Sequence, residues 1–278
     1  WLKNNDRLFY SVVRLYNEYN VGTCKSVTNM MAHLDTTYFK LTACDDVYSF
    51  ENIFEYMVLE DDVSFLSGYP IALIDDQLSI DKRDIYSIVV SDSIYNKRPI
   101  SDRFKLLSNN NAPNIIYNHR HFTDERVLNF INNFDVIEDW PAQIAISKNF
   151  PSSKFKQVNK VFVYYRRTIG STYLVASNRF HSDKLKIYES LIDAETSVFI
   201  KLIIKSRYVC FKSNNKLMNK FFNLGFYLFL SMAFFNILKI LRKFNNIDLV
   251  IKKHIIHHGL IKSHSKLFFN SKKNSNGG

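Results

Sequence analysis

The chain has 278 residues, 46% hydrophobic with 24 Phe and 16 Tyr, which is enough for a full core and too apolar for a disordered protein. Seven Gly and five Pro are few for a loop-rich all-β protein, so the turns fall to Asn, Asp and Ser. The net charge of +11 favours anionic partners, and it is concentrated late: residues 239–273 carry Lys239, Arg242, Lys243, Lys252, Lys253 and four further lysines against the single acid Asp248. Cys24, Cys44 and Cys210 show no C-x-x-C spacing, which excludes a sequence-legible disulfide framework or zinc knuckle and fits a reducing cytoplasm.

In chain order, Leu8, Val12, Leu15, Tyr16 and Tyr19 form a stripe that predicts a helix ending at Asn20-Val21-Gly22. Val27, Met30, Met31 and Leu34 predict a second helix, Tyr38 to Leu41 a strand, and Phe50, Ile53, Phe54 and Met57 a third helix. Ile71 to Ile74 and Ile85 to Val90 read as strands, residues 109–114 as an Asn-rich loop, and 124–132 as a helix. Pro141 suits the first turn of a helix opened by Glu138-Asp139 and running to about Asn149. Val158 to Tyr165 is a β-branched and aromatic strand, and helices follow from Lys184. The expected organisation is an α/β domain over 1–183, a helical region over 184–262, and a disordered tail over 263–278.

Two acidic pairs suggest chemistry. Glu138-Asp139 stands at a helix start, where free N–H groups and the local dipole orient a carboxylate that can serve as a base. Asp45-Asp46 follows a strand and could ligate a hard divalent ion such as Mn²⁺ or Mg²⁺, or simply cap a helix beginning near Tyr48. Trp140 could line a site beside these acids or fill the core. Arg166-Arg167 at a strand end could bind an anion through a fork of donors or form a solvated surface pair. His254, His257, His258 and His264 lack acidic or Cys partners and read as a solvated basic segment rather than a metal site. Residues 221–238 carry no charge and are flanked by Lys216, Lys220, Lys239 and Arg242, which suggests a buried or interfacial helix more than a spanning one.

Four blocks in order resemble the family 2 glycosyltransferases of GT-A type found in bacterial surface-polysaccharide synthesis. They are Asn20-Val21-Gly22-Thr23 with Lys25 leading to Asp45-Asp46, the loop Asn111-Ala112-Pro113-Asn114, the run Phe134-Asp135 through Glu138-Asp139-Trp140-Pro141, and Val163-Tyr164-Tyr165-Arg166-Arg167 with Gly170-Ser171. The resemblance covers about residues 8–175. It implies a GT-A-like mixed sheet flanked by helices, and an inverting transfer of a sugar from a nucleotide-sugar donor to a hydroxyl of a glycan, in that family commonly lipid-linked. On it, Asp139 is the base and Glu138 its helper; Asp46 and Asp45 hold the metal; Asn20, Gly22, Lys25, Arg166 and Arg167 bind the donor; and Trp140, Asn111 and Ser171 meet the acceptor. The family's N-terminal nucleotide-binding strands have no counterpart before Trp1, so the chain is expected to be part of a longer enzyme. The expected location is the cytoplasmic face of the membrane, reached through the basic and apolar C-terminal region, with no nucleic acid as partner. A noncatalytic membrane scaffold or decayed transferase remains open, as does a nucleic-acid-binding protein, although the basic residues do not interleave with aromatics on a sheet.

Overall fold

A computed structural model describes residues 10–43, 46–56, 62–106, 112–167, 177–213, 215–247 and 249–275. It is a mixed α/β fold. The strands are β1 (Tyr38–Lys40), β2 (Val47–Tyr48), β3 (Val63–Ile74), β4 (Gln77–Ser79), β5 (Ile115–Asn118) and β6 (Lys154–Arg166), in the order β1-β5-β3-β6-β2 with β4 on β3. Only β3 and β6 are parallel to each other, and they are the two longest strands. β3 is buried on both faces along all but its last residue, Ser64 and Ser67 included, so it shows no alternation of apolar and polar positions. On β5 the period of two reappears: Ile115 and Tyr117 join one apolar cluster and Ile116 another.

This register sets the position of the candidate residues. β1 and β3 both run antiparallel to β5, and β3 runs parallel to β6. The C-terminal ends of β1, β3 and β6 therefore share one end of the sheet with the start of β5. Asp46 follows β1, the turn Ala112–Asn114 precedes β5, and Arg166-Arg167 ends β6.

The helices are α1 (Thr23–Met31), α2 (Lys82–Tyr95), α3 (Ile100–Leu106), α4 (His119–Phe122), α5 (Glu125–Ile131), α6 (Asp139–Asn149), α7 (Ser177–Ala194), α8 (Val198–Ser213), α9 (Lys216–Phe222), α10 (Leu224–Phe235), α11 (Ile237–Asn245) and α12 (Ile251–Ser275). α1, α5 and α6 lie where the sequence places them. Residues 10–19 form no helix: Tyr10, Val13, Tyr16 and Tyr19 are exposed, and a short amphipathic segment without a surface to bury its stripe has little to hold it helical. Of the predicted third helix the described residues form a 3-10 turn, Ile53–Tyr56, with Met57 outside them; ahead of it Val47 and Tyr48 pair with Tyr164 and Val163 as β2. That pairing also removes the helix Asp45-Asp46 might have capped.

Ile85 to Val90 belongs to a helix, not a strand. The Asp81 carboxylate accepts the N–H groups of Arg83 and Asp84, and a cap of this kind starts α2 in spite of its β-branched content. Ile85, Ile88 and Val89 then face the core at helical spacing. The 183/184 boundary falls inside α7, whose Ile187, Tyr188 and Leu191 join the main core. α12 continues through Ser275, so residues 263–275 are helical instead of disordered; the stretch contains no Gly or Pro to stop it. Its histidines are not a solvated set either, since His254 and His258 are buried and His254 Nδ1 lies 3.0 Å from the Tyr164 hydroxyl.

Arg167 ties the end of β6 to the start of α2. Its N–H donates to Leu73 O at 2.9 Å, and its guanidinium pairs with Asp81 at 2.8 Å and with Asp84. Replacing Asp81 with Ala removes both the helix cap and one arm of this fork. Chemical denaturation should show a loss of roughly 1–2 kcal/mol, while Lys82→Ala on the same turn, with an exposed side chain, should change little.

Candidate active site

The site is built around the start of α6. Phe134 to Ile137 form a connector between α5 and α6, and its shape is fixed by one side chain from α7. Asp183, 1% exposed, accepts three consecutive backbone N–H groups through Oδ2: Asp135 at 2.8 Å, Val136 at 2.7 Å and Ile137 at 3.2 Å. One helical turn earlier, Arg179 pairs with the Asp135 carboxylate through both ends of its fork and holds that carboxyl below its usual range. On the other side of the connector, Cys24 N–H donates to Asp135 O at 3.1 Å. Gly22 has φ +84, and a Cβ there would lie 2.3 Å from Asp135 Oδ1, so only glycine fits this approach. Asn20 supports the turn by accepting Gly22 N–H at 3.0 Å.

This clamp presents Glu138 and Asp139 as a half-buried pair. Asp139 accepts its neighbour Trp140's N–H at 2.7 Å and the N–H of Ala112. The Ala112 turn is itself pinned: buried Asn114 donates to Gly68 O at 2.7 Å and to Ser67 Oγ at 3.2 Å, fixing it on β3. Lys184, next to the clamping Asp183, places a positive charge near Asp139.

Desolvation dominates the electrostatics. It raises the proton affinity of both carboxyls, outweighing on Asp139 the help of backbone N–H donors and Lys184, and Asp139's charge raises Glu138 further. The pair therefore titrates as a unit above the ordinary carboxylate range, with Glu138 the more strongly shifted. The buried neighbours respond in the same sense: burial and the adjacent carboxylates raise both the Tyr117 hydroxyl and the Cys24 thiol, leaving Cys24 an inert core group.

Asp46 lies on the same end of the sheet and accepts Arg166 N–H at 3.0 Å. The Lys40 ammonium sits 4.5 Å from the Tyr48 ring; burial lowers its pKa to about 8, against the opposing pull of Asp46. Among the described residues no group of three or more His, Cys, Asp or Glu side chains could hold a metal ion.

Asp45, Asn111 and Ser171 lie outside the described residues. Trp140 is not an acceptor platform: it is 3% exposed, donates Nε1–H to Phe104 O at 2.8 Å and packs edge-on against Tyr188. Arg167 is committed to α2, whereas Arg166 has a half-exposed side chain 4.0 Å from Asp76. Asn20 and Gly22 serve the connector, and Lys25 is exposed on the first turn of α1. Asp183, Arg179, Lys184 and Lys40 complete the surroundings of the acids. No short motif marks Asp183, Arg179 or Lys184, because each acts across more than forty residues of chain. Compared with protein-family models, curated proteins and solved structures, the chain finds no match in any of the three.

Glu138 gives a direct test of these electrostatics. A carboxyl whose folded pKa is raised adds stability below its unfolded pKa near 4.3 and loses it as pH rises through the folded value. Glu138→Gln stays neutral throughout. Its Tm should therefore exceed the wild-type value by roughly 3 °C or more at pH 8, with the difference vanishing near pH 4.

Proposed function

We propose that this chain carries the catalytic acids of an inverting glycosyltransferase that uses a nucleotide-sugar donor and a hydroxyl-bearing glycan acceptor. The observation that carries the reading is the Glu138–Asp139 pair: two desolvated carboxyls held in fixed geometry at a helix start, on the same end of the sheet as Asp46. An enzyme that deprotonates a sugar hydroxyl near neutral pH needs a base of raised pKa, and Asp139 has backbone N–H donors that orient it. The order of blocks resembling family 2 glycosyltransferases supports the same reading, as does the meeting of residues from all four, Asp46, Ala112, Asp139 and Arg166, at one sheet end.

Asp139 would accept the acceptor hydroxyl proton while that oxygen forms its bond to the anomeric carbon. The anomeric C–O bond to the diphosphate breaks with its electron pair leaving on the phosphate oxygen, and a single displacement inverts the centre. Glu138, with the higher proton affinity, would hold a proton and hydrogen-bond the acceptor or Asp139. Asp46 and Asp45 would hold Mn²⁺ or Mg²⁺, which when bound neutralises charge on the departing diphosphate. Arg166, at the end of β6 beside Asp46, is the better placed of the two arginines to meet that leaving group.

Transfer is assayed with a donor panel, Mn²⁺ or Mg²⁺ and glycan acceptors. Asp139→Asn should lower kcat by roughly two orders of magnitude or more with KM for the donor little changed, the signature of a lost general base. Asp46→Asn should instead raise the metal concentration needed for half-maximal rate. Turnover unaffected by either substitution would reject the assignment.

A further inference from the structure

α10 is a helix of twelve residues with no charge, apolar on every side, yet Ala233 is its only buried residue. A helix apolar all round normally lies in a protein core or in lipid. It is seated on the body by Gly225, where a Cβ would come within 2.4 Å of Arg207 Cδ, and by Leu224 N–H donating to Ser206 Oγ at 3.1 Å. That contact leaves Phe226, Leu230, Phe234 and Phe235 exposed, the last two at 72% and 84%.

α11 seats Ile240 in an apolar cluster of the body. Its lysines point inward: Lys239 Nζ donates to Ser93 O at 2.7 Å and Asn96 Oδ1 at 2.9 Å, and Lys243 pairs with Asp92 on α2. With both lysines paired to the body, the helix presents Leu238 and Leu241 outward, Leu238 80% exposed, beside the exposed Arg242. The two helices meet at Asn236 at an angle of 76°. At ~1.5 Å per residue α10 is about 18 Å long, too short for a hydrocarbon core of about 30 Å. Among the described residues no single helix is long and apolar enough to cross a membrane.

We propose that the α10–α11 elbow is a docking surface for an anionic lipid bilayer, entered to interfacial depth by Phe234, Phe235 and Leu238. The charge around it selects this occupant. Lys220 lies exposed beside Phe221, Arg242 is exposed one turn beyond Leu238, and Asp248 is the only acid between residues 216 and 262. A second copy docked through a two-fold contact would set this basic rim against itself, whereas anionic headgroups complement it. Apolar residues at the acyl boundary with cations at headgroup level is the arrangement of an interfacial helix.

Sedimentation with phosphatidylcholine vesicles, with and without phosphatidylglycerol, tests the surface. The chain should bind the anionic vesicles and release as salt is raised. The triple variant Phe234→Glu, Phe235→Glu, Leu238→Glu should bind on the order of tenfold or more weaker while melting as the wild type does. Phe234→Trp should show a blue-shifted indole emission on the same vesicles. Binding to no vesicle, equal binding by the triple variant, or a solution dimer that the triple variant dissolves would each overturn the proposal. Vesicle binding reads this surface alone and stays interpretable whether or not the chain transfers a sugar.

Discussion

One buried carboxylate organises the centre of this fold. Asp183 leaves water to accept three successive amides of the connector before α6, a segment whose irregular backbone would otherwise have to hide polar groups without partners. Each of these bonds is charge-assisted, so the cost of burying the carboxylate is offset by donors aimed at it. The connector then has one conformation, and with it the direction of α6 and the place of the two acids at its start. Gly22, Cys24 and Arg179 close on Asp135 from other sides, and Asn114 fixes the turn that supplies Ala112 N–H to Asp139. Three distant parts of the chain thus converge on two carboxyls.

Those carboxyls sit where they reduce stability. Desolvation and mutual repulsion make their ionised forms unfavourable near neutral pH, and nothing in the packing of α6 requires an acid at residue 138, whose side chain makes no helix cap. On the proposed reading this is the cost a catalytic pair carries. Asp46 is the contrasting case, held by an N–H at the end of β6 and close to Lys40.

Local rules were legible in the sequence, and long-range ones were not. Pro141 in the first turn and the apolar run behind it disclose α6, and the β-branched run discloses β6. Ile85 to Val90 misleads because a short apolar run has no decisive period; the cap formed by Asp81 with the N–H groups of Arg83 and Asp84, all ahead of the run, starts it as a helix. Trp140 beside the acids suggests a sugar platform, but its direction is set by Phe104 O and Tyr188, contacts no spacing reveals. Arg166 and Arg167 look equivalent in sequence and are separated by strand geometry, one turned toward Asp76 and the other toward the start of α2. Asp183 carries no motif, since it recognises backbone rather than side chains.

The most direct measurement is an NMR titration of the Glu138 and Asp139 carboxyl carbons in the wild type and in Asp183→Asn. If the clamp holds the pair in a poorly hydrated position, both carboxyls titrate above the ordinary carboxylate range in the wild type and fall back toward it in the variant as water reaches the loosened connector. Ordinary titration of both groups in the wild type, or raised values untouched by Asp183→Asn, would contradict the account.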